Sequence, residues 1–320
     1  MSGISVRFWG TRGSVPSALT ANDVREKVVQ ALVAASGKTL DTLEKARAFA
    51  ASLPFAASNT FGGNSSCVEL KSDGTPRVLL DIGSGARQAG IDALRQLEGK
   101  PGEFHIFMSH THWDHIMGFP FFTPAYIPGH HIRIYGCHAE LEHAFRLQQS
   151  PPCFPVDLSR MGARIEFIQL EAGRNYEIAG YRITAKRQAH GGDSYGYRFE
   201  RNGRAIIYST DSEHKLEDTA ETMSFVEFFR DADLVIFDAM YSLADAISVK
   251  EDWGHSSNVV GVELCQMAKA KHLVLFHHEP AFDDAMIEKL WHESQRLEEI
   301  TRDSHRLEVT AAYDGLEIAL

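Results

Sequence analysis

Apolar and polar positions change period along the chain, and the changes outline its elements. Ile4 to Trp9, Ser66 to Leu70 and Arg77 to Asp81 are short runs rich in strand-forming residues. Between the first two the period is helical. Val24, Val28, Leu32 and Ala35 recur at three or four residues behind a Thr20-x-x-Asp23 capping box, and Leu40, Leu43, Ala46, Phe49 and Leu53 continue the pattern until Pro54 stops it. This predicts a helical insertion over residues 17–58, a hairpin lying on the core. From residue 104 onward one arrangement recurs: an apolar run ends in a residue able to bind metal. "FHIFMSHTHWDH" ends this way, as do "YRITAKRQAH" at His190, "AIIYSTD" at Asp211, "LVIFDA" at Asp238 and "HLVLFHH" at His277 and His278. Helical patterns lie between, notably Ser256 to Ala270 and Asp283 to Ile300. Strands alternating with helices, with chemistry gathered at strand ends, predict an α/β protein of layered sheets sharing one functional edge. No Pro/Gly/Ser-rich linker divides the sequence, so one domain is expected over 1–320.

Composition narrows this picture in three ways. A chain of 320 residues, 44% hydrophobic and 23% charged, suits a folded protein with a sizeable core. Its four cysteines, Cys67, Cys137, Cys153 and Cys265, stand far apart without a C-x-x-C pair, which argues against a disulfide framework or a cysteine zinc site and for a reducing, cytoplasmic setting. The first residues lack a basic segment followed by an apolar one, and no apolar run approaches the roughly 20 residues of a membrane span, so neither export nor anchoring is expected. A formal charge of -11 argues against a broad phosphate-gripping surface, while leaving room for a local basic pocket.

Two nucleotide-like motifs fail on inspection. Ser36-Gly37-Lys38-Thr39 resembles the end of a phosphate loop, but Leu32 stands where its first glycine belongs and no strand precedes it; a turn between two helices explains it better. Asp81-Ile82-Gly83-Ser84-Gly85 has two glycines of a dinucleotide fingerprint, with Gln88 in place of the third.

The informative stretch is "SHTHWDHIMG". Imidazole and carboxylate are ligands for zinc, manganese or iron, and a tight loop leaving a strand can aim His110 and His112 at one point, with Asp114 and His115 facing a neighbouring one. Four such residues in six positions exceed what one ion takes from so short a loop, so two adjacent ions are expected. The later strand ends offer His190, His277 and Asp211, the last as a carboxylate able to bridge. His130, His131, His138, His143, His214, His272, His292 and His305 are read as hydrogen-bonded or surface residues.

"HTHWDH" with His190, Asp211 and His277 resembles the H-x-H-x-D-H signature of the metallo-β-lactamase superfamily over nearly the whole chain. The resemblance implies an αββα four-layer sandwich with a binuclear site at the sheet edge. His110, His112 and His190 would hold one divalent ion and Asp114, His115 and His277 the other, with Asp211 between them; zinc is the expected metal, manganese or iron the alternatives. "FWGTRGSVP", "FGGNSSCVEL", "DIGSGAR" and "WGHSS" are similar to the phosphodiesterase side of the superfamily, which includes ribonuclease Z and cyclic phosphodiesterases. By that resemblance His255 approaches the scissile phosphate and pairs with Asp238, while Ser256, Ser257 and Asn258 also suit a helix cap. A helix N-terminus favours a phosphate, so both roles are compatible.

The implied reaction is hydrolysis of a phosphodiester by a hydroxide held between two ions about 3.5–4 Å apart. Asp114 would orient the nucleophile and His255 would assist the phosphoryl group or the leaving oxygen, a role worth roughly 10²- to 10⁴-fold. Ribonuclease Z carries a basic, glycine-rich arm for tRNA. The matching stretch here holds the short "RLQQSPPCFPVDLSRMG", so a small phosphodiester, first a 3',5'-cyclic nucleotide, is the expected substrate. Asn64, Ser256 and Phe154 are the expected substrate contacts, Phe154 walling the pocket against a base. The alternatives are an endonuclease acting on RNA 3' ends, a lactonase or thioesterase, and a non-catalytic nucleotide-binding module. A homodimer is implied by the branch alone.

Overall fold

The computed structural model describes residues 3–214, 219–241 and 254–320. A first seven-stranded sheet is built from β1 (Ile4–Gly10), β2 (Cys67–Ser72), β3 (Arg77–Leu80), β4 (Glu103–Phe107), β5 (His131–Gly136), β6 (Arg164–Gln169) and β14 (Glu317–Ala319), in the order β14-β1-β2-β3-β4-β5-β6. The second comprises β7 (Asn175–Ile178), β8 (Tyr181–Gln188), β9 (Ser194–Arg201), β10 (Arg204–Ser209), β11 (Leu234–Asp238), β12 (His272–Phe276) and β13 (Glu308–Ala311), in the order β13-β12-β11-β10-β9-β8-β7.

The period-2 alternation of the strands decides how the sheets stack. Val6 and Phe8 of β1 turn one way and Tyr181 and Ile183 of β8 the other, and they meet in one apolar cluster with Phe107, Tyr208 and Phe276. Strand β11 is apolar on both faces: Leu234 and Ile236 enter this cluster, while Val235 and Phe237 face outward under helices. Outside the first sheet, α4 (Ala86–Leu97) lays down Ala86, Ala89 and Ala93, and α6 (Leu141–Gln148) adds Leu141 and Phe145. Outside the second lie α7 (Thr219–Phe229), α8 (Asn258–Met267) and α9 (Asp284–Thr301). Phe225 and Phe229 of α7, Val262 and Leu264 of α8 and Trp291 of α9 seal that face. The layers are helix, sheet, sheet, helix: the αββα sandwich the signature implies.

Strands β3 to β6 run parallel to one another, as do β10 to β13. Their carboxyl ends therefore deliver Asp81, the 109–115 loop, Asp211, Asp238 and His277 to a shared edge, where open α/β sheets bind ligands.

The insertion forms α1 (Ala21–Ala34), α2 (Leu43–Ala51) and α3 (Phe55–Ser58). Thr20 and Asp23 make the expected capping box. The expectation that the hairpin lies on the core is wrong. Neither α1 nor α2 buries a side chain, and Val28 and Leu32 are 53% and 67% exposed. The insertion leaves the sandwich between two adjacent strands and is tied back at few points. Lys27 Nζ donates to Asn59 O at 2.9 Å and pairs with Asp284 at 2.8 Å, and Phe55 packs on Phe61 and Tyr313 with ring centroids 4.6 and 4.9 Å apart. Ser36 to Lys38 form the turn expected there, with Gly37 at a φ of 74°. No described helix is long and apolar enough to cross a membrane.

Candidate metal centre

Each ligand-type side chain is aimed by its place at a strand end. The chain leaves β4 and turns into the short helix α5 (Trp113–Ile116), which points Asp114 and His115 inward, both buried. The ligand atoms of His110, His112 and His190 lie within 4.8 Å of one another, and so do those of Asp114, His115, Asp211 and His277. Asp211 divides its carboxylate between the two clusters. Its Oδ2 lies 3.7 Å from His110 Nε2 and 3.6 Å from His190 Nε2, its Oδ1 3.2 Å from His115 Nε2 and 3.3 Å from His277 Nε2. Asp114 Oδ2 is 3.2 Å from both His115 Nε2 and His277 Nε2.

A second layer fixes the rings. His115 Nδ1 hydrogen-bonds Asp81 Oδ2 at 2.7 Å, leaving Nε2 for the centre, and His190 Nδ1 donates to Gly254 O at 2.8 Å to the same effect. Asp81 also accepts from Ser109 N, Ser109 Oγ and the Tyr208 hydroxyl at 2.7, 2.6 and 2.8 Å. Thr210 Oγ1 donates to Asp211 Oδ1 at 2.7 Å. Gly13 packs so closely on His277 that a Cβ there would fall 2.6 Å from the ring, which accounts for the glycine in "GTRGS".

The electrostatics fit divalent cations. Asp81, Asp114, Asp211 and Asp238 are all buried, and among the described residues no lysine or arginine pairs with any of them. Buried carboxylates need countercharge. Burial works to lower the His115 pKa, yet Asp211, Asp114 and Asp81 together hold it well above the ordinary histidine value. Burial would raise Asp211, but His115, His277 and His110 hold it well below the carboxylate range. His110, by contrast, is pushed well down by burial and by neighbouring His115, so it is neutral, and its buried Nε2 has no hydrogen-bond partner. A neutral imidazole nitrogen, orphaned and aimed at a carboxylate-rich centre, is a metal ligand's condition.

Beside the centre, His255 Nδ1 donates to Asp238 Oδ2 at 2.8 Å, and its ring lies 5.0 Å from that of His190 and 5.2 Å from that of His277. Asp238 is held by Ser212 N and Met240 N, each at 3.1 Å. Burial opposes charge on His255, but Asp238 with Asp211 and Asp114 raises it to about 9. Cations at those carboxylates would offset this pull.

The expected substrate contacts divide differently. Ser256 is buried, its Oγ donating to Ser212 O at 2.5 Å and accepting from His214 N at 3.2 Å, so it braces the scaffold rather than offering a hydroxyl to a ligand. Ser257, not Ser256, caps α8. Asn64 is engaged too, with Oδ1 accepting from Ser84 Oγ at 3.1 Å and Nδ2 donating to Asp314 at 3.0 Å. Phe154 is half-buried, edge-on to Phe121 with centroids 5.9 Å apart. Trp253 of "WGHSS" lies outside the described residues. Most other histidines have structural partners, for example His130 Nδ1 with Gly102 N, His131 with Glu166, His138 with Asp193 O and His305 with Ala270 O. Sequence reasoning missed Asp81, although "RVLLD" shows the same strand-then-ligand pattern as the later runs.

Comparison with known proteins agrees with this geometry. The model of the beta-lactamase superfamily domain matches residues 76–278. Ribonuclease Z of Oenococcus oeni is 23% identical over 264 residues, covering 64% of this chain and 77% of that protein. The metallo-β-lactamase fold protein YhfI of Bacillus subtilis superposes with a TM-score of 0.64 at 18% identity, covering all of both chains. Unliganded yeast PDE1 does so with a TM-score of 0.60 at 13% identity, again over both whole chains. The chain belongs to the metallo-β-lactamase superfamily of hydrolases.

Proposed function

We propose that this protein is a metal-dependent phosphodiesterase that hydrolyses a small phosphodiester, first a 3',5'-cyclic nucleotide, with two zinc ions as cofactors. The observation that carries the reading is the Asp238–His255 pair standing beside a centre whose Asp211 turns one oxygen to each of two ligand clusters. His110, His112 and His190 would hold one ion and Asp114, His115 and His277 the other, with Asp211 shared. Two such ions supply Lewis acidity, lowering the pKa of water and neutralising phosphoryl charge. Asp114 accepts a hydrogen bond from the attacking water and orients it. With Nδ1–H donating to Asp238, His255 acts as the imidazolium: the second proton, on Nε2, passes to the departing alkoxide and leaves the neutral ring with its proton on Nδ1. Asp238 fixes the tautomer and ring plane, and is itself fixed by two backbone N–H groups.

The likeness to Oenococcus oeni ribonuclease Z supports a second reading, an endonuclease acting on RNA 3' ends. The charge of -11 weighs against it, since a polyanion gains affinity from basic surface. The test is to incubate zinc- and manganese-loaded protein with 3',5'- and 2',3'-cyclic nucleotides and a tRNA precursor, separating products by chromatography. Linear nucleotides from the cyclic panel alone support the first reading. Cleavage of the RNA alone replaces it with the second, and turnover of neither refutes both.

A further inference from the structure

Next to the ligand-type residues stands an exposed apolar side chain that the metal chemistry does not require. Trp113 sits between His112 and Asp114, so its Cα is about 3.8 Å from that of a ligand-type residue on either side. Asp114 and His115 turn inward while Trp113 stays 66% exposed. Among the phenylalanines of the next segment, Phe119 and Phe122 are fully buried and Phe121 is 57% exposed. Seven residues, in two short helical turns, separate Trp113 from Phe121, a rise of about 12–16 Å. Phe154 stands edge-on to Phe121, and Gln148 Nε2 donates to Ile116 O at 3.2 Å, tying the end of α6 and the loop after it to the same rim.

A tryptophan ring left in water between two ligand-type residues, with a second exposed ring at Phe121 two short turns further on, is an unfilled contact rather than core packing. Their chemistry suits a planar aromatic group, since an exposed ring face takes a base by stacking while the polar centre takes the phosphate. We infer that Trp113 and Phe121, with Phe154 propping Phe121, form a platform that stacks the base of a nucleotide substrate while its phosphodiester lies at the metal centre. The inference rests on the phosphodiesterase reading and adds to it a reason for preferring nucleotides over other small phosphodiesters.

The test compares zinc-loaded full-length protein on 3',5'-cyclic AMP and on 1-O-methylribose 3',5'-cyclic phosphate, which has the same cyclic diester without a base. Metal content is measured for every variant. Stacking of one base is worth roughly five-fold to a hundred-fold in affinity. The wild type should prefer the base-bearing compound by at least about five-fold in kcat/KM. Trp113→Ala and Phe121→Ala should each erase most of that preference, chiefly through KM, and Trp113→Phe should restore it. Equal turnover of both compounds by the wild type, or a proportional fall for both in Trp113→Ala, would overturn the platform. If the wild type cleaves neither compound, the phosphodiesterase reading falls and the platform is judged by equilibrium binding. A preference for adenosine 5'-monophosphate over ribose 5-phosphate that Trp113→Ala abolishes supports it, and the absence of any preference overturns it.

Discussion

Four hydrogen bonds converge on the carboxylate of Asp81, a residue that touches neither ligand cluster except through His115. Its left-handed backbone, φ 53°, turns the chain out of β3 so that the carboxylate reaches the 109–115 loop. Asp81→Asn should let His115 take the wrong tautomer and weaken metal affinity about 10- to 100-fold. Competition against a chromophoric chelator measures this, and unchanged affinity would show that the ring is held by other means. His214 makes a different residue-scale case. It is buried against Phe225 and Phe237, with Nε2 at 2.9 Å from Ser212 Oγ, and burial lowers its pKa from 6.5 to about 4. Between those values the unfolded chain binds the extra proton and the folded one does not. Stability therefore rises with pH across this window and is lost as pH falls from 6.5 towards 4. The share of this one group is at most about 3 kcal/mol. Urea titrations at pH 7 and pH 5 should show a smaller loss in His214→Phe than in the wild type, and an equal loss would remove His214 from the account.

Strand ends were legible from sequence because a run such as "HLVLFHH" states both its burial and its terminus. A fully apolar stretch must lie inside, and the first polar residues after it mark the exit. The same logic would have found Asp81 after "RVLL". The helical pattern begins at Ser256 while helix α8 starts at Asn258, since capping residues in a row leave the first turn ambiguous. The 17–58 insertion shows where such reading stops. Periodicity tells which residues share a face, and Val24, Val28 and Leu32 do, but it cannot tell whether anything covers that face. Leu32→Ser with Val33→Ser should leave stability nearly unchanged, within about 0.5 kcal/mol, because both side chains are already in water. Phe55→Ala removes the aromatic contact that pins α3 to Phe61 and Tyr313 and should cost roughly 1–3 kcal/mol. Thermal denaturation of the two variants side by side decides this, and comparable losses would mean that the hairpin packs more extensively than its exposed stripe indicates.

Across the whole molecule the two sheets meet in one continuous apolar layer, and the polar centre is confined to the edge of that layer. Folding is thus driven by a core that needs no cation, while the edge gathers four buried carboxylates that do. The two parts should separate on chelation. Removing divalent ions should leave a folded chain, with intact far-ultraviolet dichroism, but withdraw the stabilisation of ligand binding, about 2.7 kcal/mol at a hundred-fold excess over Kd. For a chain of this size that is a fall of about 4 °C in Tm. Single substitutions should sort by which part of the edge they touch. Asp211→Ala removes the carboxylate facing both clusters and should abolish the Tm gain on adding zinc. His255→Ala leaves both clusters whole, so it should keep that gain and the bound metal while lowering turnover by roughly 10²- to 10⁴-fold. Metal analysis with thermal scans, with and without zinc, reads both at once. If His255→Ala loses metal as Asp211→Ala does, His255 holds an ion rather than a proton, and the centre has to be redrawn with His190, Asp211 and His255 as a third ligand group.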